Sequence, residues 1–182
     1  MVLTIPNILT LLRIALIPLL FVVYFSSLDN AKPIAAIIFI AAAITDWLDG
    51  YLARKLQQSS AFGAFLDPVA DKLIVCIALV LVLYKHPSMF VLVPSLVIIG
   101  REITVSALRE WMAELGRRGK VAVSNLGKLK TTVQMTSITL LLWHESILGL
   151  PIYVIGQYLL ALAAVLTVIS MLDYLTAAFA ED

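Results

Sequence analysis

Residues 33–54 read Pro33-Ile-Ala-Ala-Ile-Ile-Phe-Ile-Ala-Ala-Ala-Ile-Thr-Asp46-Trp-Leu-Asp49-Gly50-Tyr-Leu-Ala53-Arg54. An apolar run of membrane length ends in two aspartates and an arginine. At roughly 1.5 Å per residue such a helix crosses a hydrocarbon core about 30 Å thick. An aspartate at the centre of a spanning helix costs about 2.5–3.5 kcal/mol even on the gentler insertion scale. Asp46, Asp49, Gly50 and Ala53 stand at i, i+3, i+4 and i+7, so they share one face of that helix.

The next apolar stretch repeats the oddity. Gly63-Ala-Phe-Leu-Asp67-Pro-Val-Ala-Asp71 places Gly63, Asp67 and Asp71 at i, i+4 and i+8, again one stripe. The link from Lys55 to Phe62 is short, which predicts antiparallel neighbouring helices whose acidic stripes face each other. Pro68 is expected near a helix start, where its missing N–H matters little. Four carboxylates within membrane-length segments need a common reason, and a bound divalent cation supplies one. An all-oxygen, multiply anionic set suits Mg²⁺ or Mn²⁺ (or Ca²⁺) rather than zinc, since neither His86 nor His144 lies in the motif. Four carboxylates suffice for one or two metals, and a two-metal clamp serves phosphoryl chemistry. Gly50, Ala53 and Gly63 leave a groove where a ligand can approach closely; small-residue helix packing is the alternative. Arg54 reads as a phosphate clamp or, less specifically, an interfacial anchor.

Working outward, the whole chain of 182 residues is 62% hydrophobic and 14% charged, with formal net charge +1 and mean hydropathy +1.01. A soluble domain is about 45–50% apolar and about 25% charged, so the sequence predicts an all-α integral membrane bundle in a single domain, residues 1–182. Six transmembrane helices are expected near 6–25, 33–54, 63–84, 88–112, 130–144 and 150–175, the fifth beginning as early as Leu126. The N-terminus lacks a basic region and an A-x-A site, so no cleaved signal peptide is expected. The lone Cys76 sits in an apolar run and reads as a small hydrophobe.

Lys and Arg cluster at the ends of spans two and four: Arg54, Lys55, Arg109, Arg117, Arg118, Lys120, Lys128 and Lys130. The other side holds only Lys32 and Lys85. The positive-inside rule then puts both termini and the aspartates toward the cytoplasm. His86, His144, Trp111 and Trp143 read as interfacial residues, and Trp47 as an anchor that also shapes the groove.

The pattern D-x-x-D-G-x-x-A-R, eight residues, G-x-x-x-D-x-x-x-D resembles the signature of the CDP-alcohol phosphotransferases at every fixed position. The resemblance implies displacement of CMP from a CDP-linked lipid by an alcohol, assisted by Mg²⁺ or Mn²⁺, two per active site, in a homodimer of the cell inner membrane. Carried across, Asp46, Asp49, Asp67 and Asp71 are expected as metal ligands and Asp71 also as the base. Gly50, Ala53, Arg54 and Gly63 are expected to bind the CDP-lipid. So are Asn7 and Thr10, which stand with Arg13 at i, i+3 and i+6 in Pro6-Asn-Ile-Leu-Thr-Leu-Leu-Arg13; a helix cap plus a snorkelling arginine is the alternative.

Gly100-Arg-Glu-Ile-Thr-Val-Ser-Ala-Leu-Arg-Glu-Trp111 and Ser124-Asn-Leu-Gly-Lys-Leu-Lys-Thr131 resemble the members of that family that make phosphatidylglycerophosphate in bacteria. This implies CDP-diacylglycerol as donor and sn-glycerol 3-phosphate as acceptor, with Arg109, Lys128 and Lys130 as acceptor-phosphate ligands. Arg101 either reaches the acceptor or joins an internal polar network. Inositol phosphate and serine remain alternative acceptors, and nucleic acid is not an expected partner. Two readings from other classes compete. A divalent-cation transporter leaves Arg54 and the small-residue groove unexplained, and a membrane scaffold leaves the buried aspartates unexplained.

Overall fold

In a computed structural model, residues 4–56, 61–116 and 125–179 are described. They form six α-helices: α1 Ile5–Phe25, α2 Ala31–Leu56, α3 Ala61–Lys85, α4 Met89–Glu114, α5 Asn125–Trp143 and α6 Ile152–Phe179. Among the described residues there is no strand, only an isolated bridge between Ile147 and Leu150. The helices fall where the hydrophobic runs put them. α5 takes the early start, because its polar first turn (Lys128 and Lys130) is helical.

Local chemistry fixes the ends. Thr4 caps α1 by accepting from the Asn7 N–H at 3.5 Å, and Pro6 sits in the first turn, where no donor is lost. Ser26 closes the same helix, donating its hydroxyl to the Val23 carbonyl at 2.7 Å. Ser88 caps α4 by accepting from the Phe90 N–H at 3.2 Å. The α5–α6 connector turns through left-handed His144, Leu148 and Gly149, which only glycine adopts without steric cost. Pro68 departs from expectation: α3 begins at Ala61, so the proline lies inside the helix. The acidic stripe of α3 is therefore continuous helix from Gly63 to Asp71.

Burial is inverted relative to a water-soluble protein. Arg13, Thr10, Asn7, Asp49, Lys130, Gln134, Ser137, Thr167 and Ser170 are buried, while Val22, Ile37, Val80, Phe90, Leu96, Ile103 and Val165 are exposed. A surface this apolar belongs against lipid. Four of the helices are long and apolar enough to cross a membrane, over Pro6–Phe25, Ala31–Leu52, Met89–Glu114 and Ile152–Thr176. The protein is an all-helical, multi-pass membrane protein.

The chain divides into two compact units. The first comprises residues 1–86 and 138–153. In it α1 packs extensively on α2 and also on α3, while α2 and α3 touch each other less. Ala35, Ala36 and Ala42 of α2 are fully buried, which permits the close helix approach that small residues give in membranes. The second unit comprises residues 87–137 and 154–182. It carries a cluster of Val105, Leu108 and Met112 from α4 packed on Tyr174 of α6.

Candidate active site

Within the first unit the acidic stripes do not simply face one another. α1 supplies Thr10 and Arg13 to the carboxylates of both. Arg13 is almost wholly buried, at 1% side-chain exposure. Its Nη1 is ion-paired with Asp46 Oδ1 at 3.0 Å and donates to Asp71 Oδ1, and its Nη2 donates to Asp49 Oδ2. Three carboxylates from two helices are thus gathered on one guanidinium, whose planar fork of donors suits several oxygens at once. The fourth is held by a hydroxyl: Thr10 Oγ1 donates to Asp67 Oδ1. Its other acceptor neighbours are the Pro6 carbonyl at 3.1 Å and Asp49 Oδ2 at 3.4 Å.

The sequence expectation named the four aspartates, Asn7 and Thr10 as site residues, and the structure brings Thr10 and all four aspartates together. Asn7 is buried on the same face of α1. Asp49 is buried, whereas Asp46 and Asp71 keep 47% and 44% side-chain exposure and can meet a ligand. Gly63 is buried and Gly50 half-buried. The side chains of Ala53 and Arg54 lie outside the described residues. The residue most underread is Arg13. It is the one charge in α1, and an unpaired arginine inside a membrane-length run demands a counter-charge; its spacing from Thr10 pointed the right way.

The second unit holds a constellation of opposite sign. Lys130 of α5, also buried, is ion-paired with Glu102 of α4. Arg101 lies 3.5 Å from Glu102 and donates through Nη2 to Ser170 Oγ of α6 at 3.1 Å. Arg109 Nη2 donates to the Tyr174 hydroxyl oxygen at 2.7 Å. The Tyr174 ring lies 5.4 Å from the Arg101 guanidinium and 5.1 Å from that of Arg109, within cation–π range. Arg101 therefore belongs to an internal polar network with Glu102, and Ser170 and Tyr174 are members that the sequence reading did not assign. Lys128 is exposed, outside these pairs. Arg117, Arg118 and Lys120 lie outside the described residues.

Comparison with known proteins places these features. The family model described as CDP-alcohol phosphatidyltransferase matches residues 3–169. The chain belongs to the CDP-alcohol phosphatidyltransferase family. It is 54% identical over 174 residues to the CDP-diacylglycerol–glycerol-3-phosphate 3-phosphatidyltransferase of Salmonella choleraesuis (strain SC-B67), covering 96% of this chain and 94% of that one. It is 52% identical over 177 residues to the protein of the same name from Escherichia coli (strain K12), covering 97% and 96%.

For this CDP-alcohol phosphatidyltransferase, fit to a metal rests on the donors. Asp46, Asp49, Asp67 and Asp71 offer only carboxylate oxygens, the donor type of hard divalent cations. Positive charge already draws three of them together. Among the described residues no three acidic, histidine or cysteine side chains take up a common ligating arrangement; three of these carboxylates meet Arg13 and the fourth Thr10. The set fits in donor chemistry and number, and three of its members are gathered on one arginine.

Proposed function

We propose that this protein transfers the phosphatidyl group of CDP-diacylglycerol to sn-glycerol 3-phosphate, giving phosphatidylglycerophosphate and CMP. The observation that carries the reaction class is the gathering of four carboxylates from α2 and α3 on buried polar groups of α1. The choice of acceptor is supported by near-full-length relatives at 52–54% identity whose names specify glycerol 3-phosphate.

Asp46, Asp49, Asp67 and Asp71 would hold Mg²⁺ or Mn²⁺, which when bound neutralises charge on the diphosphate and eases departure of CMP. Asp71 takes the proton of the attacking glycerol hydroxyl. That oxygen bonds to the phosphatidyl phosphorus while the bond from this phosphorus to the CMP oxygen breaks, and CMP leaves with the electron pair. Arg54, Gly50, Ala53 and Gly63 border the nucleotide, with Asn7 and Thr10 beside it. In the second unit Arg109, Lys130 and Lys128 bind the acceptor phosphate, which exchanges with Glu102 for the Lys130 ammonium. The excess of Lys and Arg at the ends of spans two and four supports an inner-membrane enzyme with its termini and aspartates toward the cytoplasm. The family resemblance supports a homodimer.

The experiment is CMP release by the purified protein in detergent with CDP-diacylglycerol, Mg²⁺ or Mn²⁺, and glycerol 3-phosphate, inositol phosphate or serine. Metal-dependent release with glycerol 3-phosphate alone is expected. Turnover with a different acceptor refutes the acceptor assignment, and no release with any refutes the transfer.

A further inference from the structure

Among the described residues the charge balance of the carboxylate cluster is incomplete. Three of the four aspartates meet the buried Arg13 guanidinium, and Asp67 accepts from the neutral hydroxyl of Thr10. The guanidinium is itself not fully satisfied, since the buried Arg13 Nε has no hydrogen-bond partner. Arg13 thus lies among Asp46, Asp49 and Asp71, of which Asp46 and Asp71 remain half-exposed. A second cation entering among Asp46, Asp49 and Asp71 meets both its ligands and a like charge at close range. Coulomb repulsion at such distances in a poorly solvated site is strong. Two divalent ions would balance four carboxylates by themselves, which leaves the guanidinium in surplus and in need of an anion.

Resting on the metal-assisted transfer proposed above, we propose that Arg13 is an internal counter-cation that competes with divalent metal for Asp46, Asp49 and Asp71. It holds the carboxylates together before metal binds, then yields them and turns its donors to the diphosphate of the nucleotide lipid. Its role is positioning: it preserves a like-charged cluster that would otherwise repel itself apart, and it couples metal entry to the appearance of an anion site. The coupling is reciprocal by linkage. Metal weakens the hold of the aspartates on Arg13, and a nucleotide diphosphate that captures Arg13 tightens metal binding.

The test is Mn²⁺ titration of the full chain in detergent, followed by the electron paramagnetic resonance signal of free Mn²⁺, for wild type, Arg13→Gln and Arg13→Lys. Arg13→Gln is expected to bind Mn²⁺ about tenfold tighter than wild type, to melt at lower temperature without metal, and to gain more in melting temperature when Mn²⁺ is added. Equal or weaker Mn²⁺ affinity in Arg13→Gln overturns the competition. Should that variant not fold, Arg13→Lys decides: its ammonium lacks the fork that spans three carboxylates, so tighter Mn²⁺ binding supports the proposal and equal or weaker binding overturns it. CDP binding to the Mn²⁺-loaded protein is expected to weaken in Arg13→Gln, and an unchanged CDP affinity overturns the turn toward the diphosphate. CMP release by the wild type, run alongside, reports on the transfer reading alone, so the two ideas can fail separately.

Discussion

The two units solve the same problem with opposite signs. In the first, three of the four carboxylates on α2 and α3 meet one buried arginine and the fourth accepts from Thr10; in the second, Arg101 and Lys130 converge on one glutamate, with Arg109 close by on Tyr174. Each constellation is a majority of one charge held by a single opposite charge inside apolar helices. Burying ions is expensive, and a pair inside a protein often does no better than an apolar substitute. Stability alone therefore does not account for either cluster. The imbalance is the informative part: on the transfer proposed above, the surplus of carboxylates in the first unit suits cations and the surplus of Lys and Arg in the second suits an anion.

The sharpest way to break this comparison is to remove one charge from the acidic side. Asp67→Asn and Asp71→Asn each keep shape while withdrawing a ligand. We expect CMP release to fall by about 10²–10³-fold or more, the scale of losing a preorganised electrostatic contact in a transition state. Near-normal turnover in Asp71→Asn across pH would place the base elsewhere.

The corresponding cut on the basic side is Lys130→Met. It strands Glu102 against Arg101 alone, and removing one partner of a buried pair typically costs about 3–5 kcal/mol. A clear drop in melting temperature is expected. The double variant Lys130→Met, Glu102→Leu should regain most of it, since the two sites couple, while KM for glycerol 3-phosphate stays raised. Recovery of both would reduce the second constellation to structure and undo the parallel.

Much of this was legible in the sequence, for reasons that also explain what was not. The helices follow from apolar runs of spanning length, and the acidic stripes from spacing within single helices. Both are local properties. The insertion of α1 among the carboxylates was not legible, because α2 and α3 are neighbours in sequence and their stripes already form a consistent pair. Arg13 has no acidic residue within a helical turn, so its partners exist only in the tertiary structure. The same holds for Lys130 and Glu102, which are 28 positions apart. Pro68 was misplaced by a general preference for first turns; α3 begins at Ala61 and carries the proline at an exposed position inside the helix.

A smaller effect tests how the basic constellation orients its arginines. Tyr174→Phe keeps the ring near the Arg101 and Arg109 guanidiniums and removes the oxygen that accepts from Arg109. A stability loss of about 1 kcal/mol is expected, with a severalfold rise in KM for glycerol 3-phosphate and little change in kcat. A fall in kcat at unchanged KM would mean that Arg109 does not act through the acceptor.

The smallest expected effect concerns a polar cluster that belongs to neither constellation, and it sets the control for both. The His86 and His144 rings, read from the sequence as interfacial residues, meet with centroids 4.0 Å apart and 3.4 Å between His144 Nε2 and His86 Nδ1. Tyr153 stacks on His144. Burial, with the neighbouring His144, Lys32 and Lys85, pushes His86 down to about 4. Burial and Lys32 push His144 down as well, against a smaller opposing effect of Glu145. A histidine whose folded pKa lies below its unfolded value near 6.5 binds fewer protons when folded. Its neutral form therefore supports the fold fully above about pH 6.5, and that support is lost as pH falls toward 4. We expect the melting temperature to decline through this window in wild type and to decline less steeply in His86→Phe. CMP turnover at neutral pH should be unchanged in that variant, because both imidazoles are already neutral there and touch neither charge cluster. If His86→Phe lowered turnover at neutral pH, catalysis would depend on a third polar centre, and two complementary charge clusters would no longer suffice to account for it.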